Sequence, residues 1–362
     1  MSHNKLCLFD RLLRRGLISG IYPESGECRD KLRQLLANQY PVTVYTGFDA
    51  TSNSLHVGNL ATIISSLYFH GHGHQVICVV GDATARVGDP SGHTRDRKSI
   101  DKSVISNNSD SIERTLRNLF DNYRTCFLVG HQQATNQHVE LKPPIIVRNS
   151  EWYNEMNLID FVDGVFRDVR VGGLLHKKSI QERLKTREGM NMAEFSYQIF
   201  QAFDWLELRK RHDCLIQIGG NDQQGNIYTG HDLIKKRLGK SDSIGLLAPL
   251  ITNAKGKKLG KTTEGAKADT WLNPKQTVPY DLYQFFHRTP DNDVEKFLKI
   301  FSFYEESYID ELIKTRLRDK SDIWYCQRKL AEHACLLIHG QEGLSEAKRI
   351  TECLFPTNKN KS

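Results

Sequence analysis

Tyr197, Gln201 and Asp204 stand at i, i+4 and i+7 of a stretch whose apolar residues recur at helical spacing, so the three share one face of a helix. Phe195, Ile199, Phe200, Ala202 and Phe203 cover most of the remaining surface of that helix. This predicts that the polar stripe is enclosed. Enclosed polar groups need hydrogen-bonding partners, and a bound polar ligand supplies them. The competing account is the solvent face of an ordinary amphipathic helix.

Three further constellations carry chemistry. The loop from Tyr45 through Gly47, Asp49, Thr51, His56 and Gly58 to Asn59 joins a strand to a helix. A helix start offers free N–H groups and positive potential to an anion. Thr51 and His56 would face a phosphate there, and Gly58 would let a flat base approach the backbone; loops of this kind also occur with no ligand at all. Gly219-Gly220-Asn221-Asp222-Gln223-Gln224-Gly225-Asn226 follows a strand and opens a helix, with glycines that permit close approach and Asp222 where a ribose-binding carboxylate is expected. Lys255, Lys257, Lys258 and Lys261 crowd a Gly-bearing loop that ends in Thr262-Thr263. A polyphosphate would offset their repulsion, and a solvated basic loop is the plain alternative. The loop lacks the first glycine and the spacing of a P-loop.

Two other patterns weigh less. His70, His72 and His74 invite a metal reading, but they fall in a turn between a helix and a buried strand, and no metal site is expected there. Lys177, Lys178, Arg183, Lys185 and Arg187 form a basic series that reads as a solvated helix face or as contacts to RNA phosphates.

The elements that must position these residues follow from periodicity. Residues 42–48 are β-branched and aromatic and read as a strand, residues 60–69 as a helix, and the apolar run 76–80 as a strand buried on both faces. Strand, helix and strand in succession make a βαβ unit. The fold class expected is α/β, a Rossmann-like parallel sheet with helices on both faces and ligands beyond the carboxyl ends of its strands. Residues 130–190 are more polar and irregular and read as an insertion between two halves of the sheet, with a strand-like 145–147 inside it. A helix over 192–208, a strand over 214–218 and the Gly-Gly turn repeat the first half. After Trp271 the pattern is helical to about Leu354, with Asp291, Ser307 and Ser321 as plausible caps. The domains expected are residues 1–271, a small all-α domain over 272–355, and a polar tail over 356–362.

Composition narrows the class. With 39% hydrophobic and 26% charged residues the chain has neither the polar bias of a disordered protein nor the apolar bias of a membrane protein. No run approaches the roughly 18 apolar residues of a spanning helix, so no membrane partner is expected. A net charge of +7 suits a polyanionic partner without demanding one. The eight cysteines show no metal-type spacing and read as reduced, buried thiols. The first twenty residues carry Lys5, Arg11, Arg14 and Arg15 against Asp10, which reads either as the remnant of a mitochondrial transit peptide or as a basic amphipathic first helix.

Taken in order, the motifs resemble those of the class I aminoacyl-tRNA synthetases, and among them the tyrosyl-tRNA synthetases of bacterial and mitochondrial type. His56-Val57-Gly58-Asn59 resembles the family's His-x-Gly-His signature, Lys258-Leu259-Gly260-Lys261-Thr262 its Lys-Met-Ser-Lys-Ser signature, and Gly88-Asp89-Pro90-Ser91-Gly92 its Gly-Asp-Pro-Ser-Gly segment. The similarity runs from about Tyr45 to Gly343. Each signature is short, but their order together with Tyr197, Gln201, Asp204 and Gly-Gly-x-Asp-Gln is specific. Residues 85–90 and 188–195 look more like the animal mitochondrial enzymes than the bacterial ones, which together with the basic N-terminus implies the mitochondrial matrix.

The resemblance implies the following roles. Tyr45 and Asp204 would hydrogen-bond the phenolic hydroxyl of L-tyrosine; Asp89, Tyr197 and Gln201 would hold its ammonium and Gln223 its carboxylate end. Phenylalanine would leave the buried carboxylate unpaired and so be rejected. Gly47, Asp49, Gly58, Asn59, Gly220, Asp222, Ile251 and Lys261 would border ATP, with Asp222 at the ribose and Ile251 beside the adenine. Thr51, His56, Lys258, Lys261 and Thr262 would surround the β- and γ-phosphates and stabilise the departing pyrophosphate. Magnesium would accompany ATP as substrate; no prosthetic group or protein-held metal is implied. The expected partners are tRNA(Tyr), L-tyrosine and ATP, and the region 130–190 corresponds to the family's dimer-forming segment, which implies a homodimer.

Three departures qualify the match. Asn59 replaces the signature's second histidine and loses any imidazolium charge. Gln224 stands where many relatives carry an apolar or aromatic residue. The family usually continues into a C-terminal RNA-binding domain beyond the helical one, and the expectation here is that this domain is absent, so that adenylate formation survives and tRNA charging is open. Tyr45 with Asp204 argues against a tryptophanyl-tRNA synthetase or a free-standing nucleotidylyltransferase. A non-catalytic RNA-binding protein of the same fold, such as a splicing cofactor, is the rival from another class; both Lys258 and Lys261 weigh against it.

Overall fold

The computed structural model describes residues 6–37, 41–92, 95–97, 99–128, 141–240, 242–252, 256, 259, 270–319 and 322–355. They belong to two compact units. The first comprises residues 1–53, 68–113 and 140–249, and the second residues 54–67, 114–139 and 250–362.

The first unit is built on a six-stranded sheet. Its strands are β1 (Gly20–Tyr22), β2 (Thr43–Asp49), β3 (Gln75–Gly81), β4 (Ile145–Arg148), β5 (Cys214–Gly220) and β6 (Ile244–Ala248), in the spatial order β1-β6-β5-β2-β3-β4. All pairings are parallel except β1 with β6. β3 reads as an unbroken apolar run because both faces of an interior strand are covered; it is buried from Val76 to Gly81, and β5 from Cys214 to Gly219 with Gln217 among its buried residues. From β2 the chain steps outward to β3 and β4, then returns to the other side of β2 for β5 and β6. That reversal makes the β2/β5 border the topological switch point, where the carboxyl ends of parallel strands leave room for a ligand.

The helix Met192–His212 packs on the sheet beside the helix Gln224–Leu238. Asn191 caps the first of these through its side chain, which accepts from the Glu194 amide, and Asp213 ends it in the left-handed conformation. Trp205, Phe203, Ala202 and Leu206 from this helix meet Tyr45, Ile77, Ile227 and Leu247 in one buried cluster. Burial of such side chains contributes about 1.5–3 kcal/mol each.

Several sequence expectations are corrected here. Residues 145–147, read as strand-like within an insertion, belong to the sheet as β4, whose residues 145–148 pair with β3 from Ile77 to Val80. A β-branched run needs a neighbouring strand for its backbone, and here the sheet itself supplies it. Arg183, read in a basic solvated series, has a fully buried guanidinium paired with Glu194. Leu8–Arg14 is a helix with Leu8, Phe9 and Leu12 buried, which is the amphipathic-helix alternative for Arg11 and Arg14, while Lys5 lies outside the described residues. The cysteines are all free thiols, but only Cys78, Cys214, Cys326 and Cys335 are buried, and Cys353 is exposed.

The second unit includes the helices Pro279–His287, Asp291–Phe301, Glu306–Arg318 and Tyr325–Leu354, the last kinked at Gly340 where φ is +68°. Their apolar faces bury Leu282, Phe286, Phe297, Phe301, Ile309, Leu312, Leu330 and Leu337. The caps differ from expectation. Asp291 and Ser307 already lie within helices whose N-caps are Pro290 and Glu305, and Ser321 lies outside the described residues. Asp291 and Asp293 act instead as first-turn charges facing the positive end of the helix. Among the described residues no helix is long and apolar enough to cross a membrane.

Candidate active site

Alternation along β2 puts Tyr45, Gly47 and Asp49 on one face, and the ring of Tyr45 lies 6.2 Å from that of Trp205 on the helix Met192–His212. Gly47 is exposed in the middle of this otherwise buried strand, and a Cβ placed there would meet only the Val79 carbonyl, at 4.0 Å. The floor between Tyr45 and Asp49 is therefore open. Tyr197, Gln201 and Asp204 come from the facing helix and span about 10 Å along its axis.

At one end, Tyr197 donates to Asp49 Oδ2 at 3.0 Å and Thr84 donates to Asp49 Oδ1 at 2.7 Å. Gly81 has to be glycine, because a Cβ there would lie 2.2 Å from Asp49 Oδ1 and 2.4 Å from Thr84 Oγ1. Asp89 accepts from the Ser91 amide at 2.9 Å and from Gln223 Nε2 at 2.7 Å. Asn226 Nδ2 donates to both Gln201 and Gln223 at 2.9 Å. At the other end, Asp204 accepts from Asn149 Nδ2 at 3.1 Å, Trp152 Nε1 at 2.9 Å and the Tyr153 hydroxyl at 2.8 Å. Asn149 Nδ2 also donates to Thr84 Oγ1 at 2.9 Å, which links the two ends through one amide.

The charge balance of this pocket defines its ligand. Asp49, Asp89 and Asp204 accept only from neutral donors, and among the described residues none is in an ion pair. Burial raises Asp49 to about 7, against the pull of the Thr84 hydrogen bond and with the help of the Asp89 charge. Burial likewise raises Asp204 to about 6, opposed by its Asn149, Trp152 and Tyr153 donors, and raises Asp89 against Gln223 and Ser91. The Tyr45 hydroxyl is buried and has no hydrogen-bond partner among the described residues. Burial and the Asp204 charge hold it well above the ordinary phenol range, so it is a neutral donor. A ligand with a cationic group at one end and a hydroxyl at the other answers both needs.

The structure brings together Tyr45, Asp49, Asp89, Tyr197, Gln201, Asp204 and Gln223. Asp49, read from the sequence with ATP, accepts from Tyr197, one of the residues expected around tyrosine, and from Thr84. Thr84, Asn149, Trp152, Tyr153 and Asn226 were not assigned roles from the sequence. Asn149 to Tyr153 follow β4 at the same end of the sheet, and recognising β4 as a sheet strand was the signal that would have found them. Beyond β5, Asp222 is exposed, and a Cβ at Gly220 would lie 2.4 Å from its Oδ1, so the glycine makes room for that carboxylate over the backbone. Thr51 is half-buried just past β2.

In the second unit, His56 and Asn59 form a capping box: the Gly58 amide donates to His56 Nδ1 at 2.9 Å and the His56 amide donates to Asn59 Oδ1 at 3.0 Å. Asn59 thus has a structural role that explains its presence in place of histidine. A Cβ at Gly58 would lie 2.6 Å from the His56 ring and 3.2 Å from the Leu259 carbonyl, so the glycine lets the lysine-rich segment's backbone come close. Leu259 is tied to Ile251 by a 2.8 Å backbone bond, and Ile251 is buried. Lys258, Lys261 and Thr262 lie outside the described residues. His74, in the histidine turn, accepts from the Val42 amide at 3.3 Å, and His72 meets the Tyr68 carbonyl at 2.7 Å.

Residues 37–356 match the model of the class I tRNA synthetases (W and Y). The chain belongs to that family. Within it, the chain is 41% identical to the mitochondrial tyrosine–tRNA ligase of Drosophila melanogaster over 347 residues, 96% of this chain and 72% of that protein. It is 39% identical to the human mitochondrial tyrosine–tRNA ligase over 94% of this chain and 69% of the relative. The crystal structure of a C-terminally truncated mitochondrial tyrosyl-tRNA synthetase from Aspergillus nidulans superposes with a TM-score of 0.83 at 28% identity, covering 98% of this chain and 95% of that one. The fold of this class I synthetase is also that of the tryptophanyl-tRNA synthetase of Plasmodium falciparum, at a TM-score of 0.61 and 12% identity.

Proposed function

We propose that this chain is a tyrosine–tRNA ligase of mitochondria, acting in the matrix. The tyrosine carboxylate attacks the α-phosphorus of ATP, the bond to the β-phosphate breaks, and tyrosyl-adenylate and pyrophosphate form. The terminal ribose hydroxyl of tRNA(Tyr) then attacks the tyrosyl carbonyl and AMP leaves. The observation that carries this reading is the pocket in which, among the described residues, three carboxylates lack a cation and the buried Tyr45 hydroxyl lacks a partner. L-Tyrosine supplies an ammonium to Asp89, Asp49 and Tyr197 and a phenol between Tyr45 and Asp204. Its carboxylate then lies on the Gln223 side, towards Gly220 and Asp222, which would take the ATP ribose; the resemblance also gives Gly58 and Ile251 to ATP.

His56, Thr51, Lys258, Lys261 and Thr262 complete the proposal at the phosphates, where fixed positive charge stabilises the departing pyrophosphate. Magnesium would accompany ATP, held chiefly by its phosphates, as is usual for that ion. The exposed Leu158, Ile159, Val171, Leu175, Leu184 and Met192 support a homodimer through the segment that follows β4. Residues 1–271 then form the catalytic domain and 272–355 a helical domain that meets tRNA.

Tyrosine-dependent exchange of pyrophosphate into ATP tests the reading. Exchange with tyrosine, absent with phenylalanine or tryptophan and lost in Asp204→Asn, is the expected result. Folded protein that supports no exchange would sink the catalytic reading in favour of a non-catalytic RNA-binding role.

A further inference from the structure

The loop that carries Asp89 and the helix that carries Tyr197, Gln201 and Asp204 form two walls of one pocket, and a buried ion pair lies between them. Glu194 is 1% exposed and sits one turn before Tyr197. Its Oε1 accepts from the backbone amide of Arg97 at 2.7 Å and from Asn191 Nδ2 at 3.2 Å. Its Oε2 accepts from Arg183 at 3.0 Å, and Arg183 also reaches Asp96. Arg97 turns back on its own loop: its Nε donates to the Asp89 carbonyl at 3.2 Å. Its stem lies over Gly88, where a Cβ would come within 3.0 Å of Arg97 Cβ and Cγ and where φ is +91°.

We infer that Glu194 is a positioning residue for the tyrosine pocket, holding Asp89 in place through Arg97, and that Arg183 fixes the Glu194 side chain for that task. The inference rests on the tyrosine reading of the site. A buried carboxylate between Asn191 and Arg183 needs only one of its oxygens for the ion pair. The other is spent on the amide of a residue distant in sequence, and that bond closes a path from the Met192–His212 helix through Arg97 to the Asp89 backbone. Asp89 is thereby referenced to the same helix that presents Tyr197 and Gln201, so the two sides of the ammonium site move as one body. A loop tethered only by its own backbone would present Asp89 in a spread of positions, and each departure weakens a charge-assisted contact.

Arg183→Met alone leaves the Glu194 carboxylate buried without a cation and destabilises the region for a trivial reason, whereas removing both charges together is tolerated. The test therefore compares two double variants. Arg183→Met with Glu194→Gln keeps an oxygen for the Arg97 amide; Arg183→Met with Glu194→Leu does not. Calorimetric titration with L-tyrosine should give about a tenfold weaker Kd for the Leu variant than for the Gln variant, with the Gln variant near wild type and thermal midpoints of the two alike. Equal tyrosine affinity in the two variants overturns the inference. Amide hydrogen exchange at Arg97 without ligand reads the tie by itself: faster exchange in the Leu variant supports it, and equal exchange in both overturns it. A wild-type chain that binds no tyrosine while the exchange difference persists overturns the tyrosine reading and leaves the tie standing.

Discussion

The Tyr45 hydroxyl separates stability from function in a way few residues allow. Buried and unpartnered, it destabilises the ligand-free fold and is satisfied only by a ligand. Tyr45→Phe should therefore leave the thermal midpoint unchanged or raised while weakening tyrosine binding roughly tenfold, the scale of one lost hydrogen bond to a charged cluster; calorimetric titration beside differential scanning checks both signs. The carboxylates make a second prediction. Unfolded aspartates ionise near about 3.9, whereas Asp49 and Asp204 stand at about 7 and about 6 in the fold. Folded protein holds the extra protons between those limits, so the stability these groups contribute is full at low pH and is lost as pH rises through about 6 to 7. The midpoint of the ligand-free chain should fall from about pH 5 to about pH 7.5, Asp49→Asn should flatten that fall, and tyrosine should flatten it too because its ammonium favours the ionised carboxylates. An equal slope in wild type and Asp49→Asn would remove the argument.

At the scale of elements, the site depends on how strands end. β3 closes in Gly81, against which Asp49 and Thr84 pack too closely for any side chain. Gly81→Ala should cost about 1–3 kcal/mol by overpacking and should lower exchange activity at least tenfold, since the methyl displaces Asp49; urea unfolding and exchange kinetics measure the two effects. Much of this level was legible beforehand. The helix with Tyr197, Gln201 and Asp204, the strands around Tyr45 and Val76, and the Gly219-Gly220 turn follow from period and punctuation. β4 was legible as a strand-like run but was assigned to an insertion, because a four-residue edge strand carries no signal of which sheet it joins, and the donors Asn149, Trp152 and Tyr153 were lost with it. The helix caps after Trp271 were misplaced by one or two residues, since Asp and Ser serve equally well as caps and as first-turn residues.

For the whole molecule, the apolar residues left exposed between Leu158 and Met192 bear on assembly. Leu158→Glu with Ile159→Glu, at positions 72% and 70% exposed, should leave the fold intact and convert a dimer to a monomer. Light scattering after size exclusion measures this, and a wild-type chain that is already monomeric at micromolar concentration would withdraw the dimer from the proposal. Exchange activity in the charged variant then reports how far the tyrosine pocket, whose described residues all belong to one compact unit, works without a second copy.

The order of the motifs, the shared face of Tyr197, Gln201 and Asp204 and the α/β class were determined by the sequence alone, because each depends on local period, on turn chemistry, or on which side chains share a helix face; roles for Tyr45, Asp89 and Gln223 came only with the family resemblance. Tertiary structure alone decided which groups are satisfied. Asp204 with three neutral donors, Tyr45 with none, Asn59 serving as a cap and Arg183 buried against Glu194 are relations between residues far apart in the chain. Hydrogen bonding and desolvation act over a few ångströms of space whatever the separation in sequence, so no pattern of residues can reveal them before the chain has folded.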